Sequence, residues 1–379
     1  MTEWTAQQQD LRDGIAAWCE SFNEGHLARD GASEFDPAVW KLVCRSGLLG
    51  LPFEERWGGL GQDLQTTMYV LEELGRRNRD GGLSFSISTQ IVSTGIPLQR
   101  FGSDRLKERY LPGICDGGTI TAHAITEPDS GSDALAMRTR VRRRGDEWIL
   151  DGSKTFITNA PIADLITVYA RTDEDRGPLG ITAFLVERDT PGLSVGPPMP
   201  KMGLKTSPLA EVFLDSCAVP HDRVLGRVGM GYLILDYVMK WEVLLSFVIT
   251  LGEMQHRLDR CLDYAKQRRQ FGKPIGSYQA VANKLVEMKI GIETARLWMY
   301  ETARRFTARQ DVQSDVAICK LLVSEANLAS ALSAVQIFGG SGYMTETGLE
   351  KDLRDAVGGT IYSGTSDIQR NRIAAMLGL

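Results

Sequence analysis

At 379 residues and a net charge of −5, the chain is too long for one ordinary core and offers no electrostatic footprint for nucleic acid; no basic stripe stands out. Hydrophobic residues at 43% and charged residues at 24% are the proportions of a soluble globular protein. The stretch Met1 to Gly14 lacks the basic and apolar regions of a signal peptide and no segment reads as spanning a bilayer, so the expectation is a cytoplasmic protein without a membrane or nucleic-acid partner.

In chain order, the first third reads as helices. Leu11, Ile15, Trp18 and Phe22 fall at spacings of four, three and four, an amphipathic stripe. A second helix is expected after Asp36-Pro37, ending near Gly47. Others are expected through Met68, Leu71 and Leu74, over Leu83 to Leu98, and from Ser103-Asp104 to a stop before Pro112. From Thr119 the texture changes to short β-rich runs: Arg138 to Leu150 with a turn at Gly145-Asp146, then Leu165 to Ala170, Ile181 to Val186 and Glu211 to Leu214. Short strands at this pitch predict a small β-barrel or sandwich ending near Val219-Pro220.

The chain then returns to helix. Val281, Leu285, Met288, Ile292, Ala295 and Met299 step by four and three, a seam for a bundle helix. Another helix is predicted from a cap at Ser314-Asp315 towards Ile337, interrupted by Gly339-Gly340. The expected fold is multi-domain α+β: an all-helical domain over 1–118, a middle β-barrel over 119–225 and a helical bundle, of four helices, over 226–379.

Several chemistries find no support. Six cysteines are scattered without a CxxC pair, and the four histidines are not spaced as metal ligands, so no metal is expected. There is neither a GxSxG elbow nor a GxxxxGKS/T loop. Gly226, Gly229 and Gly231 are in the wrong order for a dinucleotide fingerprint and read as a flexible hinge.

The stretch that organises the rest is Asp236 to Phe271. From Val243 to Gly252 it is apolar almost throughout, so that part of the helix must be buried on every side. Glu242 sits where the buried section begins. A carboxylate at the edge of an apolar interior resists ionisation, which is how a protein makes a general base.

The segment Ala124-Ile-Thr-Glu-Pro-Asp-Ser-Gly-Ser-Asp133 resembles the flavin-contacting turn of acyl-CoA dehydrogenases. Four further pieces stand in family order across the whole chain: Gly152-Ser-Lys-Thr-Phe-Ile-Thr-Asn159, Arg268 to Ile275, Gln336-Ile-Phe-Gly-Gly340 and Tyr362-Ser-Gly-Thr-Ser-Asp-Ile-Gln369. The resemblance implies one FAD per chain. Ile125 and Thr126 would meet the isoalloxazine ring, with Phe156 and Thr158 beside it, His123 close by, and Thr365 and Asp367 as the last flavin contacts. Arg268, Phe271, Gln279, Gln336 and Gly340 match positions that hold pyrophosphate and adenosine, often of a neighbouring subunit's FAD, so a homotetramer built as a dimer of dimers is implied. Ser132 and the backbone N–H of Ser363 would face the thioester.

The resemblance further implies α,β-dehydrogenation of an acyl thioester, carried on CoA or on an acyl or aminoacyl carrier protein, with an electron-transfer flavoprotein or oxygen as acceptor. Most members place the catalytic Glu where this chain has Ser363. Some place it on the central helix instead, and counting back from Gly252 and Gln255 that position is Glu242. Val243 stands where such members carry Arg. Together these motifs resemble a subgroup acting on thioesters of carrier proteins, of which the prolyl-carrier-protein dehydrogenases are an example. Two alternatives remain beside this reading: oxidation of a hydroxyacyl thioester on a carrier protein, and a non-catalytic binding or scaffold protein.

Overall fold

The computed structural model describes residues 4–172 and 176–379; Met1 to Glu3 of the amino-terminal stretch lie outside them. The amino-terminal third is helical because its caps and apolar spacing agree. Helix α1 (Ala6–Asn23) starts at Thr5, whose side chain and that of Gln8 close a capping box. A short α2 (His26–Ala32) was not foreseen. Helix α3 (Pro37–Arg45) starts on Asp36 with proline in its first turn, and α4 (Leu64–Arg77) on Asp63. Where Leu83 to Leu98 was expected as one helix, α5 (Gly81–Gln90) runs through a π turn, Ile91–Gly95, into α6 (Ile96–Phe101). Helix α7 (Asp104–Asp116) continues through Pro112 rather than stopping before it. Proline removes one N–H, and so near the end the helix loses one bond only.

The middle of the chain forms a single sheet. Its strands are β1 (Thr121–Ala124), β2 (Arg140–Arg144), β3 (Glu147–Thr158), β4 (Leu165–Arg171), β5 (Ile181–Glu187), β6 (Leu193–Val195), β7 (Leu209–Pro220) and β8 (Val224–Leu225). The order is β6-β7-β3-β2-β4-β5-β8, with β1 parallel to β4. The hydrogen-bonded ladder is open: among the described residues β6 and β8 end it, and β2 meets β4 through one pair, Arg140 and Arg171. Its own core gathers Leu150, Ile166, Val168, Phe184, Val186 and Val212. The net charge hid one feature. Arg138, Arg140, Arg142, Arg143 and Arg144 all lie exposed in and beside β2, a basic stripe after all, with Asp129, Asp151 and Glu147 near three of them.

The rest is a helical bundle on α8 (Gly231–Gln267), followed by a small hairpin of β9 (Arg269–Gln270) and β10 (Lys273–Pro274). Then come α9 (Gln279–Thr307), α10 (Gln313–Phe338), α11 (Gly340–Tyr343), α12 (Leu349–Gly359) and α13 (Ser366–Met376). Ser314-Asp315 lies inside α10 instead of capping it. Every residue from Val243 to Gly252 is buried, as the apolar run demanded. Helix α4 crosses α8 backbone to backbone: a Cβ on Gly252 would fall 1.9 Å from the Glu72 carbonyl oxygen, and one on Gly75 as close to that of Ile249. The expected hinge is a packed junction, since Gly231 lies against Ile181 with no room for a Cβ.

The seam of Leu285, Met288, Ile292, Ala295 and Met299 is buried within the chain's own bundle. The apolar stripe that α9 leaves outside is a different one, Val286, Ile290 and Leu297. Helix α10 is long and apolar enough to cross a membrane by length and composition, yet Val316, Cys319, Val323, Ala331 and Ala334 on it are buried in the bundle.

Candidate active site

Polar residues at the end of α5 and in the π turn explain how the site is held. Gln90, Ser93 and Thr94 are buried because they pin β1: the Gln90 Nε2 donates to the Thr119 carbonyl at 2.7 Å, and its Oε1 accepts from the Thr121 N–H at 2.7 Å. Thr94 reaches Thr167 on β4 at 2.8 Å. Fixed in this way, β1 carries His123 towards α8. There His123 Nε2 lies 3.5 Å from Glu242 Oε2. The other carboxylate oxygen, Oε1, accepts a hydrogen bond from the Ser363 hydroxyl.

Glu242 is 13% exposed, and among the described residues neither its Oε2 nor the His123 Nδ1 has a hydrogen-bond partner. Burial pulls the pKa of His123 below its usual value, with Glu242 pulling the other way, so the ring is neutral at pH 7. Tyr169 on β4 adds a third buried polar group without a partner among the described residues; burial, and then Glu242, raise its pKa. The cluster therefore holds a carboxylate anchored at one oxygen, with the other oxygen unspent beside a neutral imidazole.

Ser363 is placed by backbone geometry. Its φ of +56°, followed by +87° at Gly364, folds the chain back between α12 and α13. Positive φ strains a residue with a side chain. The buried Gln369 holds the turn by donating to the Ser363 carbonyl at 2.8 Å. Thr365 Oγ1 accepts from the Ile368 N–H as the cap of α13, and Asp367 is exposed in the first turn of that helix.

The Ile125-Thr126 turn is braced by a pair that the sequence reading did not single out. Lys154, fully buried, donates to the Ile125 carbonyl at 3.0 Å and to Glu127 Oε1 at 2.8 Å. Glu127 also accepts the Thr139 N–H at 2.9 Å. Burial lowers Lys154 to about 8 against the pull of Glu127; burial works to raise Glu127, but Lys154 and its hydrogen bonds bring it below the usual range. From Thr155 the N–H reaches the Thr126 carbonyl at 2.9 Å, which sets Phe156 and Thr158 of β3 beside the turn. Phe156 has φ +57° and is 61% exposed, a ring offered outward from a register shift in the β3–β7 ladder. Ser132 is exposed on the loop after the turn.

The remaining expected cofactor residues gather elsewhere. Arg268, Phe271, Gln279, Gln336 and Gly340 lie exposed at the far end of the bundle, where Phe338 stacks on Tyr264 at 3.9 Å between ring centroids. Phe271 is 94% exposed, and Arg268 meets no carboxylate among the described residues. From Glu242 to the end of α8 at Gln267 the helix rises about 38 Å. One chain brings together His123, Ile125, Thr126, Phe156, Thr158, Glu242 and Ser363, and leaves the second group apart.

Three family descriptions match the chain: "Acyl-CoA dehydrogenase, N-terminal domain" over 5–118, "middle domain" over 122–217 and "C-terminal domain" over 229–378. An L-prolyl-[peptidyl-carrier protein] dehydrogenase of a Serratia species is 38% identical, covering 95% of this chain and 94% of that protein. Among solved structures, the prolyl acyl carrier protein oxidase AnaB superposes with a TM-score of 0.97 at 39% identity, covering 100% of both chains. PigA, solved with FAD and proline, gives 0.97 at 37% identity over 100% of this chain and 99% of that one. With all three family domains matched in order, the chain belongs to the acyl-CoA dehydrogenase family.

Proposed function

We propose that this chain is an FAD-dependent dehydrogenase that introduces a double bond between the α and β carbons of an acyl thioester, with Glu242 as the base. The observation that carries the assignment of the base is the carboxylate itself: Oε1 is held by Ser363, and the buried Oε2 has no hydrogen-bond partner among the described residues. An anchored carboxylate with one free oxygen can take a proton from a carbon acid placed against it. The residues present fit a flavin. The braced Ile125-Thr126 turn, the outward ring of Phe156, the His123 Nδ1 without a partner among the described residues and the strained Ser363 loop support this fit, and relatives of the same fold are solved with FAD.

When bound there, FAD supplies a two-electron acceptor for the hydride leaving the β carbon. The chain's own residues do the remaining work. Glu242 takes the α-proton as H⁺. Ser363 fixes the carboxylate, and its backbone N–H, at the turn with φ +56°, faces the thioester carbonyl, where it stabilises charge developing on oxygen. His123, neutral and buried, stands 3.5 Å from Glu242 Oε2 without placing a positive charge there.

The handle in this reading is a carrier protein, since the relatives named above act on prolyl groups carried that way. An electron-transfer flavoprotein is the proposed acceptor of the electrons. The proposed assembly is a homotetramer built as a dimer of dimers; because α8 rises about 38 Å between Glu242 and its end beside Arg268, a second copy would supply Arg268 and its neighbours to each dinucleotide site. Bleaching of the bound flavin by a carrier-linked prolyl or acyl thioester, its loss in Glu242→Gln and the mass of the product test the assignment. A product two hydrogens lighter at Cα–Cβ supports it. A carbonyl product favours hydroxyacyl oxidation, and an unbleached flavin with every thioester the non-catalytic reading.

A further inference from the structure

Along α8, Glu242, Ser246, Ile249 and Glu253 fall on one face at spacings of four, three and four. This face looks across to α5 and to the loop that carries Tyr362 and Ser363. One helical turn beyond Glu242 the gap between α8 and α5 is bridged: the Ser246 hydroxyl donates to the Ser88 hydroxyl at 3.1 Å, and the Ser88 hydroxyl donates to the Phe85 carbonyl at 3.0 Å. Both serines are buried, so the chain of hydroxyls is complete and shielded from water. The Phe85 ring lies on Tyr362 at 4.6 Å between centroids, and Tyr362 meets Phe247 at 5.4 Å, which walls the same gap from the side.

The two serines of the bridge also border a small cavity whose lining is mixed, with Leu204 and Ile249 beside polar groups. Ser84, Thr250, Glu253, Asn327 and Asp355 face it together with Tyr362. Asp355 is already paired, with Lys351 at 2.6 Å. Glu253 shows no ion pair or hydrogen bond among the described residues, and burial raises its pKa to about 7. An alkyl chain pushed into this space would break the Ser246–Ser88 bond and strand buried hydroxyls and a carboxyl group against methylenes, which is the costly kind of burial.

We infer that the Ser88–Ser246 bridge is the floor of the acyl slot, so that this enzyme takes thioesters of short acyl groups and excludes alkyl chains. Four residues of helix separate the floor from Glu242, about 6 Å, room for about four or five carbons or one five-membered ring past the thioester carbonyl. Ser88 and Ser246 are then specificity-determining residues. A short polar or amine-bearing acyl group can hydrogen-bond to the floor, whereas an eight-carbon chain must displace it. This inference rests on the dehydrogenase reading above.

The experiment compares butyryl, hexanoyl and octanoyl thioesters of one carrier, following reduction of bound FAD in the intact holoenzyme. In the unaltered protein kcat/KM falls at least tenfold from butyryl to octanoyl. In Ser88→Ala/Ser246→Ala, which replaces the bridge by two methyl groups, the ratio closes by tenfold or more, chiefly through octanoyl. The single change Ser246→Ala gives a smaller shift in the same direction and stands in if the double variant does not retain FAD. Octanoyl turned over as well as butyryl by the unaltered protein, or an unchanged ratio in the variants, overturns the inference while leaving the dehydrogenase reading intact. If butyryl, prolyl and octanoyl thioesters all fail to reduce the flavin, the dehydrogenase reading falls and the inference with it.

Discussion

The two ends of α8 solve opposite problems. At Glu242 the polar groups are buried and braced within one chain: Ser363 holds the carboxylate, Gln369 holds Ser363, and Gln90 and Thr94 hold the strand that carries His123. At the other end Arg268, Phe271, Gln279, Gln336 and Gly340 lie exposed, and Arg268 meets no carboxylate among the described residues. Buried polar atoms without partners are costly and persist where a ligand completes them. Exposed groups cost little alone and become a site only in company. A reacting centre needs its geometry before substrate arrives, and the first end has it; the second is a surface that awaits a cofactor and a second copy.

The sharpest way to break this comparison is to change the reacting end. Glu242→Gln should fold and keep its flavin colour, yet lose about a hundredfold or more in the rate of flavin reduction by thioester. Equal loss of colour and rate would instead make Glu242 a structural residue. The next effect is on stability. Glu127→Gln leaves the fully buried Lys154 without its counter-charge and should cost about 3 kcal/mol in a denaturant titration. A change within error would mean that the Ile125-Thr126 turn stands without the pair.

At the other end, Arg268→Ala should weaken FAD retention about tenfold, the loss of one charged hydrogen bond to phosphate. Because the group belongs to a second copy in this reading, flavin should also be released as the protein is diluted, together with a fall in mass. A variant that keeps FAD as a monomer would place Arg268 outside the site.

Two smaller effects sharpen the contrast. Burial raises Glu253 to about 7, so the folded chain binds a proton that the unfolded chain releases near 4.5. Its stabilising share is complete below about pH 4.5 and is lost as pH rises towards about 7. Glu253→Gln should flatten that part of the profile of Tm against pH. Finally, Ser363→Ala should slow flavin reduction only severalfold. The structure corrects the simpler expectation that only the backbone N–H matters, because the hydroxyl is bonded to Glu242.

Much of this was legible in order along the chain. The run from Val243 to Gly252 is apolar on all sides, and a helix of that kind has nowhere to be but inside. The helix start at Asp36-Pro37 and the turn at Gly145-Asp146 are local signals, decided by a few neighbouring residues. Ser363 in place of the usual acid pointed to Glu242 because a missing base must be supplied from somewhere.

What tertiary structure decided was everything that depends on distant partners. No local rule shows that Gln90 and Thr94 are buried to pin β1, or that α7 runs on through Pro112. The seam on α9 had the right period, but period marks only an apolar face; which neighbour covers it, the chain's own bundle or a second copy, depends on packing. Lys154 and Glu127 lie 27 residues apart, and Ser88 and Ser246 lie 158 apart. Such pairs carry no sequence period, because their hydrogen bonds form only when the fold brings two elements within reach. The sequence by itself determined which segments are helix and which are strand in the main, the family and the vacated base; the pairing of buried polar groups, and hence the shape of the slot in front of Glu242, came only with the fold.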